Sequence, residues 1–350
     1  GACHHAADTT PEDTRRPTYI YLGFRMSKVL AGLAFLAKDA TVHMMCKVIG
    51  LMGVGLLSWL YFCPRNLRGT ALWLPNPKSN AAKRAWEVFS LRWGGVWISC
   101  FTVIIGGELY TTFSSMHYMV VCGGLALPLV AQPFVFPSIT GEGDVVWYKR
   151  YSVKANLWIA IFSFIGNYWY THYFYNVLEA HYTMPSPDLN GVPIPMYFAT
   201  HFYFSFYHVL ANMALRKTYK SLKSGVMRSV FVVLLVLFMS YVTAFMESLT
   251  ISGFPCYGFK DRFLAYSLGS AFYGLYFVVS FPMFLRVDED PRRKMSLFSV
   301  AVEALASGMM VLILLDAVRV WLGMDLCFRL MRPCKLDASK TCAPFNNDFC

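Results

Sequence analysis

Seven stretches of this chain, residues 95–113, 117–138, 155–178, 196–215, 229–251, 264–285 and 298–322, are apolar over the length a helix needs to cross a bilayer. No other property limits the fold so tightly. In hydrocarbon every backbone donor and acceptor must be satisfied within the protein, and unbroken apolar runs of this length do so as helices. An eighth run, Val48 to Phe62, is shorter, with Lys47 at its edge able to snorkel, and reads as an extra N-terminal membrane helix. The expected fold is therefore all-α: a polytopic membrane bundle of about seven core spans plus that additional helix. Charged residues make up only 15% of the chain, where a soluble domain carries nearer a quarter.

The net charge of +11 lies in loops rather than on a compact basic surface, so it does not point to nucleic acid. Arg65, Arg68, Lys78, Lys83, Arg84 and Arg92 precede the first strong span. Lys149, Arg150 and Lys154 follow the second, Arg216, Lys217, Lys220, Lys223 and Arg228 the fourth, and Arg286, Arg292, Arg293 and Lys294 the sixth. The intervening loops 114–116, 179–195 and 252–263 are poor in net positive charge. This alternation supports seven spans and puts the basic loops on the cytosolic or matrix-like side. Residues 65–92 read as a basic linker, and Tyr19 to Ala40 as an amphipathic, interfacial helix. Of ten cysteines, Cys46, Cys63, Cys100 and Cys122 lie in or beside apolar spans. Cys327, Cys334, Cys342 and Cys350 crowd a polar tail, with Cys256 in a loop on the same side. Their spacings favour disulfides over a zinc knuckle.

Polar groups inside such spans face protected interiors and mark functional sites. His201, Ser205, His208 and Asn212 recur by four, three and four, one stripe along the fourth span. Ser240, Thr243, Glu247 and Thr250 form another on the fifth. Asn156, Asn167 and Thr171 lie along one side of the third, with His172 beside them. Asp316 and Arg319 read as an internal ion pair. Ser, Thr and Asn in such positions commonly set helix register through hydrogen bonds. Glu247 is different, because a neutral carboxyl group in a dry cavity is a ready proton donor. A metal site fits poorly: His201 and His208 are two turns, about 10 Å, apart, and no E-x-x-H pattern accompanies them. Aromatic residues reach 17%. They suit interfacial belts and packing, or a pocket whose π-faces hold a large apolar or cationic species.

At these residues the sequence resembles the cycloeucalenol cycloisomerase family of plants and algae. The resemblance runs from Leu72-Trp73-Leu74-Pro75-Asn76-Pro77 to about Gly323. Its most specific stretches include Val153–Trp158, Asn167–Phe174, Thr200-His201, Phe206-Tyr207-His208, Ser240-Tyr241, Asp261-Arg262, Tyr276–Phe284 and Leu315-Asp316. Lys149 and Glu108 depart from the family's pattern. The resemblance implies a sterol substrate, opening of a 9β,19-cyclopropane ring by protonation at C19 and deprotonation at C8, and no cofactor. It suggests Glu247 as acid, His201 or His208 as base or relay, and His172 and Asn167 as orienting groups. Asn212, Tyr207, Trp169 and Asp261 are expected to contact substrate.

The chain divides into an N-terminal extension (1–70), an isomerase-like body (71–323) and a cysteine-bearing tail (324–350). The two additions support an alternative: a family member recruited as a non-catalytic accessory subunit, docking other membrane proteins through its ends. A sterol transporter or sensor is a weaker third reading. The endoplasmic reticulum is the expected location, an organellar inner membrane the alternative.

Overall fold

The computed structural model describes residues 39–66, 72–251, 254 and 256–321. Their helices are α1 (Ala40–Phe62), α2 (Ala81–Gly106), α3 (Ser115–Val135), α4 (Tyr151–Ile165), α5 (Thr171–Leu178), α6 (Ile194–Ser221), α7 (Val226–Ile251), the short α8 (Arg262–Leu264), α9 (Ser270–Leu285) and α10 (Leu297–Trp321). A π-turn, Gly166–Tyr170, joins α4 to α5, and a second, Ala265–Gly269, joins α8 to α9. Eight helical columns result among the described residues, and the chain is an all-α polytopic membrane bundle.

Six columns meet the length and hydropathy of a membrane span. The other two, α4–α5 and α6, carry the polar stripes that lower their hydropathy. Outward faces are apolar, as with Leu51, Val54 and Leu57 of α1 and Met309 and Ile313 of α10. That suits a lipid surround.

Two helices begin earlier than their apolar runs. Asp39 caps α1, its carboxylate accepting from the backbone of Thr41 and Val42. With its 23 residues α1 has the length to cross the bilayer. It packs along α7: Val42 and Met45 meet Phe245, and the Trp59 indole donates to the Met227 carbonyl. Helix α2 starts at Ala81, so the expected linker is helical from residue 81 onward, with Lys83 and Glu87 buried there. The amphipathic helix expected from Tyr19 and the cysteine-bearing tail lie outside the described residues. Cys256 is disulfide-bonded, while Cys46, Cys63, Cys100 and Cys122 are free.

The core joins α4, α6, α9 and α10 through Trp158, Phe162, Phe204, Phe277 and Val311. Close approaches need small residues. A Cβ on Gly308 would lie 2.8 Å from Ile165 Cδ1, and the Tyr170 hydroxyl donates to the Gly308 carbonyl at 2.6 Å. Two antiparallel strand pairs close the end opposite the basic loops. Strand β1 (His181–Tyr182) pairs with β4 (Tyr257–Gly258), and β2 (Asp188–Leu189) with β3 (Val192–Pro193). Between β2 and β3, Asn190 and Gly191 both take positive φ (56° and 71°), the signature of a type I′ turn.

At the basic end, three cations counted as loop charges are internal. Arg216 bridges Glu87 and Glu289, Lys83 reaches Glu289 at 2.9 Å, and Lys154 reaches Asp288 at 2.7 Å. Lys83 also donates to the carbonyls of Leu285 and Val287. These bonds tie the α9–α10 loop to α2, α4 and α6. Asp316 and Arg319 do pair, at 2.8 Å, but with Asp316 half exposed they lie on the bundle surface rather than inside it.

Candidate functional site

A partly open hollow, of about 80 Å3, lies beside the first π-turn at the strand-pair end. Its walls come from four columns and the strand-pair end. Ser163, Gly166 and Asn167 come from α4 and the first π-turn, Thr171 and Phe174 from α5, and Thr200 and Phe204 from α6. Glu247 and Ser248 come from α7, and Tyr273 and Tyr276 from α9. Tyr182 of β1, Tyr257 of β4 and Phe259 form the cover. Half of the lining side chains are aromatic.

The π-turns explain why those residues converge. Each adds a residue to the helical turn, which re-aims the side chains that follow, and such bulges recur at functional sites. Gly166 and Asn167 of the first turn face the hollow. In the second turn, Gly269 accommodates the tip of Leu178, to which a Cβ would come within 2.7 Å. Helices α7 and α9, which bring Glu247 to Tyr273, meet at Gly274, where a Cβ would lie 3.7 Å from the Ser240 backbone.

Glu247 is the only carboxyl residue among those lining the hollow. The Tyr273 hydroxyl is hydrogen-bonded to it, while its Oε2 is buried without a hydrogen-bond partner. Opposite, Asn167 Nδ2 donates to the Ser163 carbonyl (2.9 Å) and to Thr200 Oγ1 (2.7 Å). In the cover, burial first and then the Glu247 charge push the Tyr182 phenol up. Burial likewise raises Tyr257. Both therefore face the hollow as neutral phenols. The site joins a carboxyl group, neutral hydroxyls and π-faces, a set able to deliver a proton to an apolar molecule and to stabilise a cation formed there.

The other expected site residues are dispersed. His201 is buried behind the wall, its Nε2 3.0 Å from Asn156 Oδ1. His208 pairs with the Phe204 carbonyl and with Ser280 Oγ (2.8 and 2.9 Å), enclosed by the rings of Trp158, Phe281 and Phe284. Neither histidine lines the hollow. His172 lies beside Asn190 of the β2–β3 turn, its Nε2 buried without a hydrogen-bond partner. Asn212 belongs to the ionic cluster, donating to Glu87 at 3.2 Å. Tyr207 stacks on Tyr203. Trp169 is half exposed on the outer surface. Asp261 caps α8, accepting from the Leu264 backbone. Tyr182, Tyr257, Tyr273, Tyr276 and Thr200 line the hollow without having been named as site residues. The signals for them were the matching stretches that hold Thr200 and Tyr276, and Tyr273 and Tyr276 sharing a helix face three residues apart.

Over 260 residues the chain is 42% identical to the cycloeucalenol cycloisomerase of Arabidopsis thaliana, an alignment covering 72% of this chain and 90% of that protein. No family model matches the chain, and no solved structure matches it.

Proposed function

The chain belongs to the cycloeucalenol cycloisomerase family, and from that premise we propose that it opens the 9β,19-cyclopropane ring of a membrane-borne sterol to give a Δ8 sterol. The observation that carries this reading is the Glu247 carboxyl, with one buried oxygen lacking a partner, on the wall of an aromatic hollow. In the proposed step Glu247 protonates C19. The electron pair of the C9–C19 bond forms the new C–H bond, the methylene becomes the angular methyl, and positive charge develops at C9. Phe204, Tyr273 and Tyr276 offer π-faces to that charge. Loss of the C8 proton fills the cation and leaves the double bond. One proton enters and one leaves, so substrate and product are isomers.

The Glu247 carboxylate is the nearest base the wall offers for the C8 proton, with the Tyr273 hydroxyl steadying its charge. His201 and His208 then act as positioning groups behind the wall. Asn167 is assigned to orienting the substrate. The body 71–323 carries the activity, and the endoplasmic reticulum is the membrane the family points to.

A hollow of about 80 Å3 is far below the ~300–1,000 Å3 of pockets that enclose drug-sized ligands. A tetracycle therefore needs more room than this conformation gives. The same small volume favours a second reading, a family member serving as a non-catalytic subunit. Expression in yeast membranes fed cycloeucalenol, with obtusifoliol read by mass-resolved chromatography, separates the two. Product from the parent and none from Glu247→Gln is the expected result. A folded parent that yields no product, or a Glu247→Gln variant with full activity, overturns the assignment.

A further inference from the structure

Most hydroxyls around the hollow are already engaged. Ser163 donates to the Ala160 carbonyl, Thr171 to Gly166, and Thr200 to Met196 and Tyr197. Tyr273 is held by Glu247. Tyr170, whose ring packs on Tyr276 at 4.6 Å, donates to Gly308. Two buried side-chain atoms of the lining residues have no partner: Glu247 Oε2 and the Tyr276 hydroxyl. The Tyr276 ring is 3% exposed and clamped by Tyr170, Phe174 and Tyr273. A buried hydroxyl left unpaired is destabilising, and such a group in a native fold calls for a partner.

We propose that the Tyr276 hydroxyl is the hydrogen-bond partner of the sterol 3-hydroxyl and so sets the specificity for a 3-hydroxylated substrate. This rests on the isomerase reading above. A sterol of this kind has one polar group, and Glu247 is committed to the ring methylene. Glu247 is held by Tyr273, and Tyr276 lies three residues on, about 4.5 Å along the same helix face. Only a single six-membered ring lies between a sterol's 3-hydroxyl and its cyclopropane methylene, so two polar groups on the wall of one small hollow suit its two ends. The Tyr276 hydroxyl and the acid thus form a two-point gauge, one end reading the hydroxyl and the other the strained ring.

The test is a two-by-two comparison on the full chain in membranes: parent and Tyr276→Phe, each with cycloeucalenol and with its 3-deoxy analogue. Removing one neutral hydrogen bond is expected to lower kcat/KM on cycloeucalenol about tenfold, chiefly through KM. On the 3-deoxy analogue, parent and variant are expected to be equal. An equal loss on both substrates, or no loss on either, overturns the anchor. If the parent isomerises neither sterol, the activity reading fails by itself, and equilibrium binding of the two sterols decides the anchor. A preference for the 3-hydroxyl form that the parent shows and Tyr276→Phe lacks upholds it; the same preference in both refutes it.

Discussion

Replacing Arg216 by Met should be among the most destabilising single changes in the bundle. The side chain is 1% exposed. Its guanidinium makes a two-pronged contact with Glu87 (3.0 and 2.8 Å) and another with Glu289 (2.7 and 2.8 Å), and it also donates to the Trp73 carbonyl. With the guanidinium gone, Glu289 keeps Lys83, but the fully buried Glu87 retains only the long bond from Asn212. Leaving one partner of a buried pair uncompensated costs about 3–5 kcal/mol. At roughly 2 °C per kcal/mol for a chain of this size, the midpoint of helix loss on heating in detergent should fall by about 6–10 °C. Removing both charges in Arg216→Met/Glu87→Met should return at least half of that loss, since an apolar pair of similar volume is tolerated where a lone charge is not. Arg216→Lys should resemble Met more than Arg, because an ammonium group cannot grip two carboxylates in this forked way. Circular dichroism melts of the four proteins decide it. A single variant within about 1 °C of the parent, or a double variant no more stable than the single, would show that the cluster does not hold the basic end together.

Further outcomes follow from the same structure. Burial works to raise the Glu289 carboxyl, but the hydrogen bond from Arg216 and the charges of Lys83 and Arg216 outweigh it and hold it below its ordinary value. Its contribution is therefore complete above the unfolded-state value, about 4.3, and is lost as pH falls through the lower folded one. Melting midpoints should hold steady down to about pH 4.5 and then fall, with a shallower fall in Glu289→Gln; identical acid limbs in the two proteins would reject this. Gly308→Ala drives a methyl into Ile165 and the Tyr170 hydroxyl and should cost about 1–3 kcal/mol. Gly95→Ala meets nothing within 4 Å and should be neutral or slightly stabilising. Equal melts for the two alanine variants would mean that α10 does not approach the first π-turn as closely as described.

How much of this could be read from the sequence depended on the physical signal. Run length located the helices, because the bilayer imposes it directly. Ends were less legible: α2 begins at Ala81 because Lys83 and Glu87 have internal partners, and partners distant in sequence leave no local trace. For the same reason Lys154 and Arg216 looked like solvated loop charges. Glu247 stood out as a lone carboxyl in an apolar helix, and it does face the hollow. The histidine stripe on α6 is real, but its face packs on Asn156 and Ser280 rather than on open space. Beyond Gly166 the π-turn shifts the helical phase, so Thr171 turns to the hollow while His172 turns to Asn190, which a wheel with 3.6 residues per turn cannot anticipate. The tyrosines of the site were hidden by abundance, since in a chain so rich in aromatics one more ring carries little information.

The ionic cluster also constrains how the protein can be made. Lys83 and Glu87 emerge from the ribosome early, whereas Arg216 and Glu289 follow much later. At ~5–20 residues per second the roughly 200 residues between Glu87 and Glu289 take on the order of 10–40 s to synthesise. Until Arg216 follows, roughly two-thirds of the way through that interval, both charges of α2 lack their final partners. Lying four residues apart on one helix face, they can neutralise each other while they wait. The pair that later splits between Glu289 and Arg216 can thus serve first as its own counter-charge.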